Sequence, residues 1–168
     1  MLEQHPRVEL QNKEHDIFYS RFHLSKKLPK DILITSAFTF PIKGNSILLI
    51  LDKKDFWNPP GGHVEKNESI EECIKRETLE EGGVEIKDIK PLGYLEIEIT
   101  KNKSHRYPQR TIMPITYSQI TKVDETWKAI EAKERRFVTY DEGLKLFKER
   151  DDQKQMFLIF SELKGLIQ

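Results

Sequence analysis

The stretch WNPPGGHVEKNESIEECIKRETLEEGGVEI, residues 57–86, decides how this chain is read. Pro59, Pro60, Gly61 and Gly62 in succession oppose any regular element, so a loop is predicted there. Ser69 with Glu72 three residues on has the form of a capping box, and Gly82 with Gly83 supplies a stop. A helix between them is the expectation. Each helical residue turns by about 100°, so with Ile70 as reference Cys73, Ile74 and Thr78 define an apolar arc. Glu77 and Glu81 fall inside that arc at roughly −20° and +20°, and Glu80 lies at its margin near −80°. Arg76, Glu72 and Lys75 fall on the opposite side, where amphipathic logic puts charge. The three acids therefore project toward the packed side of the helix.

Left alone, that arrangement is unfavourable. Carboxylates three or four residues apart on a helix stand about 5–6 Å from one another and repel by roughly 3 kcal/mol per pair at an effective dielectric near 20. Burial adds a desolvation cost, and the helix C-terminus is already partly negative. Raised pKa values, pairing with Arg or Lys, or a bound cation are the remedies. Arg76 is one partner for three acids. An all-oxygen donor set suits a hard ion, Mg²⁺ or Mn²⁺, and Mg²⁺ favours phosphate oxygens as co-ligands, which points to a phosphate-bearing substrate.

The rest of the chain frames this helix. Residues 1–30 are polar and are expected to form an extension, with short elements around IFYSRFHL, packed on or flanking a domain of residues 31–168. ILITSAFTF and NSILLILD are strand-like runs joined by turn chemistry in PIKG. VEIKDIKPLGYLEIEIT alternates Leu95, Ile97 and Ile99 with Tyr94, Glu96 and Glu98, and TIMPITYSQI and RRFVT read as further strands. A short helix near 141–149 and a tail with Met156, Ile159, Phe160, Leu163 and Ile167 at helical spacing follow. The length of 168 residues predicts one core, and the balanced charge, +0 overall, argues against a dedicated nucleic-acid or membrane-surface binder. Cys73 is the single cysteine, so no internal disulfide can form, and no run of eighteen apolar residues is present. A soluble, cytoplasmic protein is the expectation.

From Gly62, five residues lead to Glu68 and seven more to Arg76, Glu77, Thr78, Leu79, Glu80, Glu81, Gly82, Gly83 and Val84. This resembles the signature of the Nudix hydrolases, nine specified positions over 23 residues, with Thr78 where the family usually has a bulky aliphatic. The resemblance implies an α/β/α sandwich with a mixed central sheet and a loop–helix–loop catalytic motif. It implies hydrolysis of a nucleoside diphosphate linked to another group, through in-line attack by a metal-activated water. By the same resemblance Glu77, Glu80 and Glu81, with the carbonyl of Gly62, would hold the metal. Arg76 would orient a glutamate, Glu68 would support the loop or bind a further metal, and Gly83 would permit the turn. The general base is left between Glu77 and an acid on a later loop, Asp124 or Glu125.

The lead-in FWNPPGGHVE is similar to that of MutT-like members, which act on nucleoside triphosphates. Members resembling RNA pyrophosphatases tend to carry Gln at the position of Pro60 and are less favoured. Phe56 or Trp57 could stack on a base or pack under the sheet; His63 could approach phosphate or stand by. SHRYPQR offers Arg106 and Arg110 to phosphates and Tyr107 as a stacking surface, or forms a solvated hairpin tip. Cys73, on the apolar arc, is read as core and not as a nucleophile. The expected partner is a small nucleotide, with no stable nucleic-acid partner, and homodimers are common among similar proteins. A nucleotide-sugar or dinucleotide pyrophosphatase and a non-catalytic nucleotide sensor are the alternatives, the latter disfavoured by the full set of acids.

Overall fold

In chain order the computed structural model, which describes residues 5–11, 15–105 and 108–167, runs as β1 (Val8–Gln11), β2 (Ile17–Leu24), β3 (Leu33–Ile34), β4 (Ser36–Lys43) and β5 (Ser46–Leu51). Then come β6 (Trp57–Asn58), β7 (Gly61–His63), α1 (Ile70–Gly82), β8 (Val84–Lys101), β9 (Arg110–Val123), β10 (Glu134–Val138), α2 (Tyr140–Lys148), a 3-10 turn (Asp151–Gln153) and α3 (Lys154–Ser161). The strands pair in the order β1-β2-β8-β9-β4-β5-β10, with β3 on β9, β7 on β4 and β6 on β5. β3 and β4 run parallel to β9 and the other pairings are antiparallel, which makes the sheet mixed.

Side-chain alternation sorts the apolar residues onto two faces. Along β5, Ile47 and Leu49 join Phe40, Ile115, Phe147, Ile159 and Phe160 in one cluster, while Leu48 joins Ala37, Cys73, Ile74, Ile86 and Ile120 in the other. α2 and α3 cover the first face and α1 the second. Phe160 anchors the first: it meets Phe40 edge-on and stacks on Tyr140, and a side chain at Gly143 would collide with its ring. The result is the α/β sandwich expected, a curled mixed sheet between helices.

The PIKG turn folds as anticipated, with Gly44 at φ +61° between the paired residues Lys43 and Ser46. Residues 8–11 and 17–24 form an antiparallel hairpin whose second strand pairs with β8 from Ile17 opposite Lys101 to Leu24 opposite Gly93. Register shifts within β8 let this long strand follow the curl of the sheet. Two expectations need correction. The segment expected as a pure loop contains two short strands: Trp57 and Asn58 of β6 lie against β5, and in β7 Gly61 and Gly62, lacking side chains, can run alongside β4. The tail helix ends at Ser161, so Leu163 packs from the turn beyond it. Among the described residues no helix is long and apolar enough to cross a membrane.

Candidate functional site

The loop before α1 is pinned at both ends. The Asp52 carboxylate accepts hydrogen bonds from the backbone N–H groups of Lys54 (2.8 Å) and Phe56 (3.0 Å) and from Asn58 Nδ2 (2.9 Å). Further on, buried Gln153 accepts from Trp57 N at 3.0 Å and donates to Trp57 O at 2.6 Å, tying this loop to the 3-10 turn. Gly61 and Gly62 then pair with Phe38 and Ala37. A side chain on Gly61 would strike the Ala37 carbonyl, and a Cβ on Gly62 would come within 2.5 Å of Glu77 Oε1. Only a bare backbone leaves this space beside the acids.

α1 begins as the sequence predicts. Ser69 Oγ accepts from Glu72 N, and the Glu72 carboxylate accepts from Ser69 N, the full capping box. Its C-terminus closes on Gly83 at φ +62°, a conformation that favours glycine. Ile74, Cys73 and Thr78 are buried against the sheet. Thr78 spends its hydroxyl on the Ile74 carbonyl at 2.6 Å, which is how a polar residue occupies the aliphatic position. Cys73 packs below the loop, and burial, with the charges of Glu68 and Glu77, pushes its thiol up to about 11, which suits core and not nucleophile.

Glu68, Glu77 and Glu80 are brought together around Arg76. Its guanidinium donates to both oxygens of Glu68 (Nε at 2.7 Å, Nη2 at 3.0 Å), to Glu77 Oε1 at 2.8 Å, to Glu80 Oε2 at 3.2 Å and to the His63 carbonyl at 3.1 Å. The expectation that Arg76 lies on a separate face is corrected. Its Cα does, but the long side chain folds back over the loop. Held by Arg76 and by the Glu65 N–H, the Glu68 carboxyl is depressed to about 2. Both its oxygens accept from Arg76. Glu77, with a side chain 13% exposed, is raised by burial against the opposing bond from Arg76. Glu81 is raised to about 7, by burial first and then by the like charges of Glu77, Glu131 and Asp52, although its Oε2 accepts from Gly61 N at 3.0 Å. Glu80 is the wet member, 47% exposed, as its place at the margin of the arc predicts.

With Arg76 spread over Glu77 and Glu80, and Glu81 turned to Gly61 N, no three such side chains among the described residues form a finished metal cage. The donor set nevertheless fits a hard divalent cation: three carboxylates on one helix end, two of them raised by burial, beside a glycine cradle that a Cβ would fill.

The other expected residues are placed unevenly. Phe56 is half-buried at the loop, with the Arg150 guanidinium 5.3 Å from its ring centre. Trp57 is a correction: it is 6% exposed and lies in the core beneath Arg136, so its indole has no open face for a base. The His63 ring is exposed, with Nδ1 3.3 Å from Ser36 Oγ. Arg110 opens β9 and bonds Glu96 at 2.7 Å. Arg106 and Tyr107 lie outside the described residues. Asp124 accepts from the N–H and hydroxyl of Thr126, which lower its pKa. Glu125 lines a hollow with Leu79, Gly83, Glu85 and Lys122, apart from the acids. Residues the sequence did not single out are Asp52 and Glu131, whose charges act on Glu81, and Trp127 and Arg135, which reach the end of α1. Asp52 followed by Lys54 and Phe56 has the form of a side-chain-stabilised turn, a legible signal; the others had none.

A family model described as the NUDIX domain matches residues 33–158. The chain is 40% identical over 55 residues to an 8-oxo-dGTP diphosphatase of Buchnera aphidicola, a match covering 33% of this chain and 44% of that protein. It is 38% identical over 56 residues to an oxidized purine nucleoside triphosphate hydrolase of Mus musculus, covering 31% and 36%. These matches span less than half the length of either relative. Among solved structures, a Bacillus subtilis pyrophosphohydrolase superposes with a TM-score of 0.67 at 19% identity, over 96% of this chain and 99% of that one. A NUDIX hydrolase from Nitrosomonas europaea gives 0.63 at 17% identity, over 79% and 89%.

Proposed function

The chain belongs to the NUDIX domain family, and on that premise we propose that it is a divalent-metal-dependent pyrophosphohydrolase acting on a nucleoside diphosphate linked to a further group. The observation that carries this reading is that Glu77 lies against the bare backbone of Gly62, Glu81 takes the Gly61 N–H and Glu80 shares Arg76 with Glu77, with Arg76 locked to Glu68. Glu77, Glu80, Glu81 and the Gly62 carbonyl would hold the cation. A bound Mg²⁺ or Mn²⁺ would supply charge neutralisation at the bridging phosphates and acidify a water.

The chain's own residues do the rest. Arg76 holds Glu77 in place, and Gly61 N fixes Glu81. In the reaction, water adds to one phosphorus as the bridging P–O bond breaks, and a carboxylate takes the proton released. Glu77, beside the bare backbone of Gly62, is placed for that. Of the later acids, Asp124 lines a hollow together with Glu80 but accepts two bonds from Thr126, and Glu125 lines the neighbouring hollow beside Leu79, so Glu77 is preferred to both. Phe56, His63 and Arg110 are offered as substrate contacts.

A (deoxy)nucleoside triphosphate, handled in the cytoplasm, is the preferred substrate. The names of the two relatives support that preference. The test is a panel of nucleoside triphosphates, nucleotide sugars and dinucleotides with Mg²⁺, Mn²⁺ or chelator, reading phosphate products. Metal-dependent turnover, fastest on triphosphates, and its loss in Glu81→Gln are expected. No turnover on any compound with metal present, or wild-type rates in Glu81→Gln, overturns the reading.

A further inference from the structure

α1 ends without a lysine, arginine or histidine in its last turn. Such an end leaves carbonyls without helical partners and a partial negative charge of about half an electron. Glu80 and Glu81 sit on that same turn, so the end of the helix is crowded with negative charge and should fray. Other elements prevent it. Arg135, on β10, donates from Nη1 to the carbonyls of Gly82 (3.0 Å) and Gly83 (3.4 Å) and from Nη2 to that of Asp124 (2.9 Å). Trp127 donates from Nε1 to the Glu80 carbonyl at 3.2 Å, and its ring lies so close to Gly83 that a Cβ there would come within 2.6 Å of it. The guanidinium also sits 5.0 Å from the Trp127 ring centre, and Asp124 N donates to Gly83 O at 2.8 Å.

We propose that Arg135 and Trp127 are positioning residues for the cation site: they clamp the carbonyl end of α1 and so hold Glu80 and Glu81 where a divalent ion can be shared. The inference rests on the functional reading above. Both act on backbone carbonyls and not on the carboxylates. The planar fork of arginine holds its donors in fixed directions toward carbonyls on two segments, whereas a lysine ammonium is a mobile point charge that does not preorganise them.

Charge alone predicts the opposite of positioning, which makes the two separable. A guanidinium near the acids repels an incoming cation, so its removal would tighten binding if charge were its only contribution. Mn²⁺ is titrated calorimetrically into nucleotide-free wild type, Arg135→Ala, Arg135→Lys and Trp127→Phe, with folding checked by circular dichroism. Arg135→Ala should weaken Mn²⁺ binding about tenfold, the usual cost of losing an outer support of a ligand. Arg135→Lys should fall between wild type and Arg135→Ala, and the charge-neutral Trp127→Phe should weaken binding by a few fold. Amide exchange at Gly82, Gly83 and Val84 should quicken in Arg135→Ala without metal. Unchanged or tighter binding in folded Arg135→Ala overturns the proposal; if that variant does not fold, wild-type affinity in Trp127→Phe does. Absence of Mn²⁺ binding in the wild type overturns the functional reading and this inference together, whereas failure confined to the variants overturns this inference alone.

Discussion

Glu81 is pushed up to about 7 chiefly by burial, with Glu77, Glu131 and Asp52 adding like charge and one Gly61 N–H opposing them. Because its folded pKa lies above the ordinary 4.5, the folded state binds the extra proton between about pH 4.5 and about pH 7. Stability contributed by this residue is therefore present below 4.5 and lost as pH rises toward 7. Metal-free wild type should fall behind Glu81→Gln across that window, by something of the order of 2 kcal/mol after allowance for partial solvation. Urea midpoints of the two proteins at pH 4.5 and pH 8 measure it; a difference independent of pH would refute the assignment. Arg76 shows the same physics with the sign reversed. Its contacts keep Glu68 well below the carboxylate range, so that acid stays charged and goes on holding the loop.

At the scale of the element, α1 works because both ends are tied. Ser69 and Glu72 satisfy each other's backbone N–H at the start, and Gly83 turns the chain at φ +62° at the finish. Ser69→Ala should cost about 1 kcal/mol of stability, the usual loss of an N-cap, with little effect on the acids two to three turns away. Thermal unfolding and a cation titration on one sample would check both halves. The limits of α1 and the strand character of β4, β5, β9 and β10 were legible because capping, turn formation and hydrophobic alternation act between near neighbours. β6 and β7 were not, since two- and three-residue strands exist only through the partners they lie against.

At the scale of the whole molecule, the sheet brings three distant segments to one helix: the 52–63 loop, the 124–133 connection and β10. If the acids so gathered bind a cation, Mn²⁺ at a hundred times its dissociation constant should stabilise the folded state by about 2.7 kcal/mol. That corresponds to a rise in Tm of about 5–10 °C for a protein of this size. Chelator and Glu81→Gln should each abolish the rise in a thermal-shift assay, and an equal rise in Glu81→Gln would count against the site. The sequence by itself determined the acidic helix, its boundaries, the face its carboxylates occupy and the strands that flank it, because those follow from periods and caps spanning a few residues. Tertiary structure alone decided that Trp57 is core, that Arg76 reaches back over the acids, and that Glu131, Trp127 and Arg135 attend the helix end. The contacts of Trp127 and Arg135 join residues about 50 apart in the chain, brought together by strand pairing, while Arg76 reaches its near neighbours through a side-chain direction that no periodicity encodes.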